Sequence, residues 1–223
     1  MMNAGSRFIE LSHRIDSGMT TYPGLPAPVI SEHLSREDSV SHYAPGTTFS
    51  IARIELVANT GTYVDSPFHR FAGTPDVSNL PLERLADVPG VVVDARSAGR
   101  ALGADLFAAA GGLAGKAVLV RTGWDVRFGK AEYGVGHPFL TRAAADHLVG
   151  AGCALVGIDS LNIDDTADLT RPAHTGLLGA GIPIVEHLTN LGAIPPGPFC
   201  FFAVPPPFAG MGSFSVRAFA IAG

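Results

Sequence analysis

The sequence predicts an α/β chain built on a mixed sheet. Short β-branched runs outnumber helical stretches, two Ala-rich helical segments fall between some of those runs, and Gly- or Pro-marked turns separate them. Its 223 residues contain no internal repeat and no charge block, and suit one domain over 1–223.

The elements follow in order. Phe8-Ile9-Glu10-Leu11-Ser12 alternates apolar and polar residues, as a half-buried strand does. Asp16-Ser17-Gly18-Met19 and Thr21-Tyr22-Pro23-Gly24 carry turn chemistry. Residues 49–57 read as a strand. The apolar runs at 91–94, 117–121 and 154–159 are those of strands covered on both faces. Residues 104–110 read as a helix stopped by Gly111-Gly112. Residues 141–149 read as a second, with Thr141 as its N-cap and Gly150 at its end. Late strands are expected at 181–185, 199–204 and 214–221.

Composition narrows the function. Hydrophobic residues make up 47 % and the mean hydropathy is +0.28, which allows a substantial core. No apolar run approaches the ~20 residues that cross a bilayer, so no membrane partner is expected. Residues 1–12 lack the apolar centre of a secretory signal. Cys153 and Cys200 sit in apolar runs and read as buried free thiols of a cytoplasmic protein. A net charge of −5 without a basic cluster argues against nucleic acid. The apolar excess without a membrane segment points to a homo-oligomer that hides some of its surface. No dinucleotide fingerprint, phosphate loop or Gly-x-Ser-x-Gly elbow is present.

The chemistry concentrates in Asn59-Thr60-Gly61-Thr62-Tyr63-Val64-Asp65-Ser66-Pro67-Phe68-His69. As extended chain, this segment sets Asn59, Gly61, Tyr63, Asp65, Pro67 and His69 on one face. An amide, a phenol, a carboxylate and an imidazole then point the same way, which suits a pocket better than a core. Taken alone, Asp65 before Ser66-Pro67 reads first as a capping or Asx-turn residue. An imidazole can take a proton from a water and return it to a leaving group, which makes His69 a candidate proton carrier. Glu186 ends an apolar run, where an unpaired carboxylate would be costly. Pairing with Arg53, Arg70 or Arg121 would satisfy it without any site. Phe68 and Trp124 are candidate pocket walls that bind substrate.

The segment resembles the signature of the cyclase family of metal-dependent hydrolases, which includes bacterial kynurenine formamidase and isatin hydrolase. That signature runs His-x-Gly-Thr-His-x-Asp-x-Pro-x-His. Gly61, Thr62, Asp65, Pro67 and His69 match it, while Asn59 and Tyr63 stand where it has its first two histidines. Further blocks match in order: Glu10-Leu11-Ser12-His13 with Gly18-Met19, Arg121-Thr122-Gly123-Trp124, and Gly157-Ile158-Asp159-Ser160-Leu161-Asn162-Ile163-Asp164. His174, and the run 182–191 with Glu186, resemble the block of late metal ligands.

The resemblance implies a swivelling β/β/α domain with a mixed central sheet, self-association, and hydrolysis of a small-molecule amide, lactam or lactone. It implies Asp65, His174 and Glu186 as ligands of a divalent ion, zinc or manganese. His69 becomes the proton carrier. With an amide and a phenol replacing two imidazoles, one ion is expected, and Asn59 and Tyr63 would orient the substrate or its oxyanion. A non-catalytic binding protein on the same fold, and a ring-closing cyclase or dehydratase, are the alternatives.

Overall fold

A computed structural model describes residues 7–223. The stretch 1–12, read as lacking a secretory segment, lies partly outside them. A nine-stranded mixed sheet organises the molecule. In chain order its strands are β1 (Arg7–Glu10), β4 (Tyr63–Asp65), β5 (Val88–Asp94), β7 (Ala117–Arg121), β9 (Leu155–Ile158), β10 (Ile184–Glu186), β11 (Phe199–Phe202), β12 (Ser213–Ser215) and β13 (Phe219–Ala222). Between them come β2 (Val29–Leu34), α1 (Arg36–Ser39), β3 (Ile51–Glu55), β6 (Ala101–Leu102), α2 (Ala104–Ala108), β8 (Phe139–Leu140), α3 (Arg142–Gly150) and α4 (Pro172–Gly179). The spatial order is β1-β13-β11-β5-β7-β9-β10-β4-β12, with β5, β7, β9 and β10 parallel and the flanking pairs antiparallel. The sheet curls into a half-barrel.

The strand period of two divides the core. On β7, Val118 and Val120 face the helices, where they meet Phe107, Leu148 and Leu177. Ala117 and Leu119 face the other way, toward Leu11, Val64, Leu188 and Phe201. β9 and β10 repeat the pattern, with Val156, Ile158 and Ile184 on the helix side and Leu155 and Val185 opposite. Strands covered on both faces read as continuous apolar runs, which is how 117–121 and 154–159 are legible. Thr141 caps α3 as expected, its hydroxyl accepting from the Ala144 N–H at 3.2 Å. Cys153 is buried, but Cys200 is only half-buried on β11, a correction to its expected burial.

Three expectations change shape. The run at 49–57 does form β3, but among the described residues β3 pairs only with β2, and this ribbon joins no strand of the large sheet. The expected strand over 214–221 is two strands in distant parts of the sheet, β12 at one edge and β13 second from the other, between β1 and β11. Finally, α4 was not read as a helix at all. Its eight residues include two Gly and a Pro, poor helix formers except that Pro is suited to the first turn.

Candidate active site

β4 runs between β10 and β12, antiparallel to both. The registers set Glu186 opposite Tyr63 and Ser213 opposite Asp65. Directly opposed residues touch across a sheet, and here they are polar pairs. The Tyr63 hydroxyl donates to Glu186, and the Ser213 hydroxyl donates to Asp65. All four side chains are buried.

β4 is short because the chain bends at both ends. Gly61 has φ +67°, and a Cβ there would stand 2.8 Å from Ile15. After Asp65, Ser66 and Pro67 lead into a 3₁₀ turn over Pro67–His69. That turn carries His69 back over Ser213, with Nδ1 2.9 Å from the serine oxygen. Ser213 spends its one proton on Asp65, so it accepts from His69 Nδ1–H, and His69 Nε2 stays free. Gly212 makes room for this return, since a Cβ on it would lie 2.5 Å from His69 Cα. The single extended face read over 59–69 is therefore corrected. Only 63–65 is strand, and Asn59 and His69 reach the cavity through turns.

His174 arrives on α4. Arg171, before the helix, gives no side-chain cap. Asp164 takes that part from a distance: its carboxylate accepts the Ala173 N–H at 2.6 Å and the His174 N–H at 3.0 Å. The same carboxylate accepts His174 Nδ1–H at 2.6 Å. This fixes the ring and leaves Nε2 facing Asp65 Oδ2 at 3.6 Å and Glu186 Oε1 at 3.7 Å. Glu186 also accepts the Ile163 N–H at 2.6 Å and a longer bond from Asn162 Nδ2 at 3.4 Å. No arginine pairs with it among the described residues.

Asp65 Oδ2 is buried and has no hydrogen-bond partner among the described residues. Such an orphan is expensive in a closed site unless a ligand meets it. The site's electrostatics agree. Burial works against charge on His174, yet Asp164, Asp65 and Glu186 together raise its pKa. Burial pushes Asp65 up too, but the imidazoles of His69 and His174 and the Ser213 bond hold it below its ordinary value. Glu186 is raised, chiefly by burial. Burial and the neighbouring carboxylates raise Tyr63 well above the usual phenol range, so it stays a neutral donor. The floor is a set of carboxylates waiting for positive charge.

Asp65, His69 and His174 each offer a ligand atom, all within 4.8 Å of one another. Imidazole nitrogen with carboxylate oxygen, one orphaned and one imidazole pre-aimed, is a donor set that fits zinc or manganese. Asn59, Tyr63, His69, His174 and Glu186 all line a cavity of about 210 Å³.

Residues 9–165 match the family model described as "Putative cyclase". The chain belongs to the cyclase family. A kynurenine formamidase of Geobacillus thermodenitrificans is 27 % identical over 219 residues, which cover 98 % of this chain and 97 % of the relative. One from Salinibacter ruber is 29 % identical over 176 residues, 77 % of this chain and 80 % of its own. Isatin hydrolase A from Ralstonia solanacearum superposes with a TM-score of 0.80 at 23 % identity, covering 98 % of this chain and 92 % of that one. A predicted metal-dependent hydrolase of Bacillus stearothermophilus gives 0.78 at 24 % identity, with 98 % and 99 % covered. These two likenesses are of fold.

Within this cyclase-family site, Asp65 lies beneath the cavity wall formed by the other expected residues. Phe68 and Trp124 stand outside that lining. Phe68 follows the turn toward solvent, and the Trp124 indole N–H donates to Tyr133 O at 3.0 Å while Arg127 covers its ring. Sequence reasoning missed Asp164 and Ser213. Asp164 sat in a matching block but had no visible partner until α4 formed. Ser213 carried no signal, being one serine in a late strand.

Proposed function

We propose that this protein hydrolyses the C–N bond of a small amide or lactam in arylformamidase fashion, with lactone C–O cleavage as neighbouring chemistry. One observation carries the reading: the orphaned Asp65 Oδ2 and the free His174 Nε2 face each other at 3.6 Å beneath a cavity lined by His69. The names of the two formamidase relatives support the same bond type.

Of the Asp65, His69 and His174 cluster, Asp65 and His174 would hold one divalent ion together with Glu186, whose Oε1 stands 3.7 Å from His174 Nε2, and His69 would be left to carry protons. Bound there, it would polarise a carbonyl and acidify a water. Asp164 keeps His174 in the ligating tautomer. His69, its Nδ1–H spent on Ser213, has Nε2 to take a proton from the attacking water. Water oxygen bonds to the carbonyl carbon, the C–N bond breaks, and His69 returns the proton to the departing nitrogen. Tyr63 acts through Glu186, because its only proton is committed there. Asn59 and Asn162 offer amides to orient the substrate. Asn59 and Tyr63 are poor ligands where the family signature has histidines, so a second ion is not expected.

Elemental analysis of protein purified without chelator, beside formanilide hydrolysis before and after metal removal, tests this. The expected result is about one zinc or manganese per chain and turnover that chelation abolishes. Two ions per chain would overturn the single-site reading. Metal-free protein, or no hydrolysis of any aryl formamide, lactam or lactone, would overturn the function.

A further inference from the structure

The mouth of the cavity is built from two arginines that the reaction above does not use. Arg171 and Arg70 both line it. Arg96, Arg100 and Arg217 are each paired with a carboxylate, at 2.6, 2.7 and 2.7 Å. Among the described residues, neither cavity arginine has such a partner. Arg70 reaches only the Thr175 hydroxyl at 3.3 Å and lies over the Phe71 ring. Arg171 donates to the backbone oxygen of Asp165 at 3.4 Å, and Tyr22 lines the same cavity.

Arg171 is also strained. Its φ is +49°, in the left-handed region that a residue without Gly, Asn or Asp character seldom adopts. Such strain persists where the surroundings impose it, and it gathers at ligand clamps. Here it lets the chain turn into Pro172 and α4, so one bend delivers Arg171 to the cavity mouth and His174 to its floor. The floor carboxylates do not need the arginines, because His174, Tyr63 and backbone N–H groups already face them. Two unspent guanidinium forks at one opening match a planar anion, which they can bind through paired charge-assisted hydrogen bonds.

We propose that the pocket takes a substrate bearing a carboxylate at the end remote from the bond that breaks, and that Arg171, assisted by Arg70, is the specificity-determining residue for it. The inference rests on the hydrolase reading of the same cavity. It narrows the substrate class to N-acyl or lactam compounds that are anions at neutral pH.

4-Formamidobenzoate, whose carboxylate lies across the ring from the formamide, and formanilide differ only in that carboxylate and make the kinetic pair. The expected preference in kcat/KM is about tenfold or more for the anion. Arg171→Gln should collapse that ratio toward unity, Arg70→Gln should lower it less, and Arg171→Lys should keep part of it, with circular dichroism confirming the fold of each. Calorimetry with benzoate and benzamide reads binding without turnover. Benzoate should bind the parent about tenfold more tightly than benzamide and lose that advantage in Arg171→Gln. Equal turnover of both formamides, or a preference untouched by Arg171→Gln, overturns the proposal while leaving the hydrolase reading standing. Benzoate binding that depends on Arg171 in a protein that cleaves neither formamide supports the anion site and rejects the hydrolase.

Discussion

The floor of the cavity and the β2–β3 ribbon invert the ordinary rule of burial in opposite directions. On the floor, Asp65, Asp164 and Glu186 are fully buried charged groups. On the ribbon, Ile30 and Ile54 face each other across the strands while 43 % and 61 % exposed. Val29, Ile51 and nearby Phe49 are exposed as well. The buried carboxylates are held in place by register and by a helix terminus, and they call for a cation. The ribbon is held by its own ladder and by the Ile30 N–H, which donates to the Ser17 hydroxyl at 3.0 Å, and its apolar side chains call for another surface. Isolated two-stranded ribbons are marginal in water, so a second copy of this chain is its expected cover.

The largest effect should come from the floor. Glu186→Gln removes a buried charge that faces His174, and losing one partner of a buried pair costs about 3–5 kcal/mol. Added zinc or manganese should raise the melting temperature of the parent and leave the variant unmoved. An equal metal response in both would take Glu186 out of the ligand set.

The ribbon should answer next. Ile30→Lys with Ile54→Lys replaces two apolar contacts worth at least about 1.5 kcal/mol each when buried. Sedimentation at micromolar concentration should show the parent as a dimer or tetramer and the variant shifted toward a species of 23.1 kDa. A parent that is already monomeric would break the comparison at the ribbon end.

His13 separates functional from structural burial. It stacks on Phe128 at 3.7 Å, its Nε2 is buried without a partner, and burial lowers its pKa to about 4. The unfolded chain then binds the proton first, so the stability from neutral His13 is present above about pH 6.5 and lost as pH falls toward 4. The loss should be roughly 2–3 kcal/mol. Denaturant titrations of the parent and His13→Gln across that window should converge on acidification, and parallel curves would reject the assignment.

The smallest effect sharpens the floor. Asp164→Asn keeps one acceptor for α4 but weakens the hold on His174 Nδ1–H. Loosening the group that holds a ligating imidazole typically costs about 10–100-fold in metal affinity. Metal titration showing no change would mean that α4 alone positions the imidazole.

Much of this was legible in the chain. The parallel strands announced themselves as apolar runs and Thr141 as a cap, and Asn59, Tyr63, His69, His174 and Glu186, singled out in the chain, do line one cavity. Less was legible where a residue's meaning depended on distant partners. The extended face over 59–69 broke at Gly61 and Pro67, and the two proposed aromatic walls turned elsewhere.

The sequence by itself determined the inventory: which segments favour strand or helix, and which carboxylates, imidazoles and phenol are available. Those are local properties of side chain and backbone. Only the tertiary structure decided the pairings, because cross-strand register and helix docking join residues far apart in the chain. Ser213 meets Asp65 across 148 positions and Tyr63 meets Glu186 across 123. Asp164 becomes a histidine's anchor only once α4 starts beside it. Contacts of that range depend on where whole elements pack, and no local pattern around Ser213 or Asp164 encodes it.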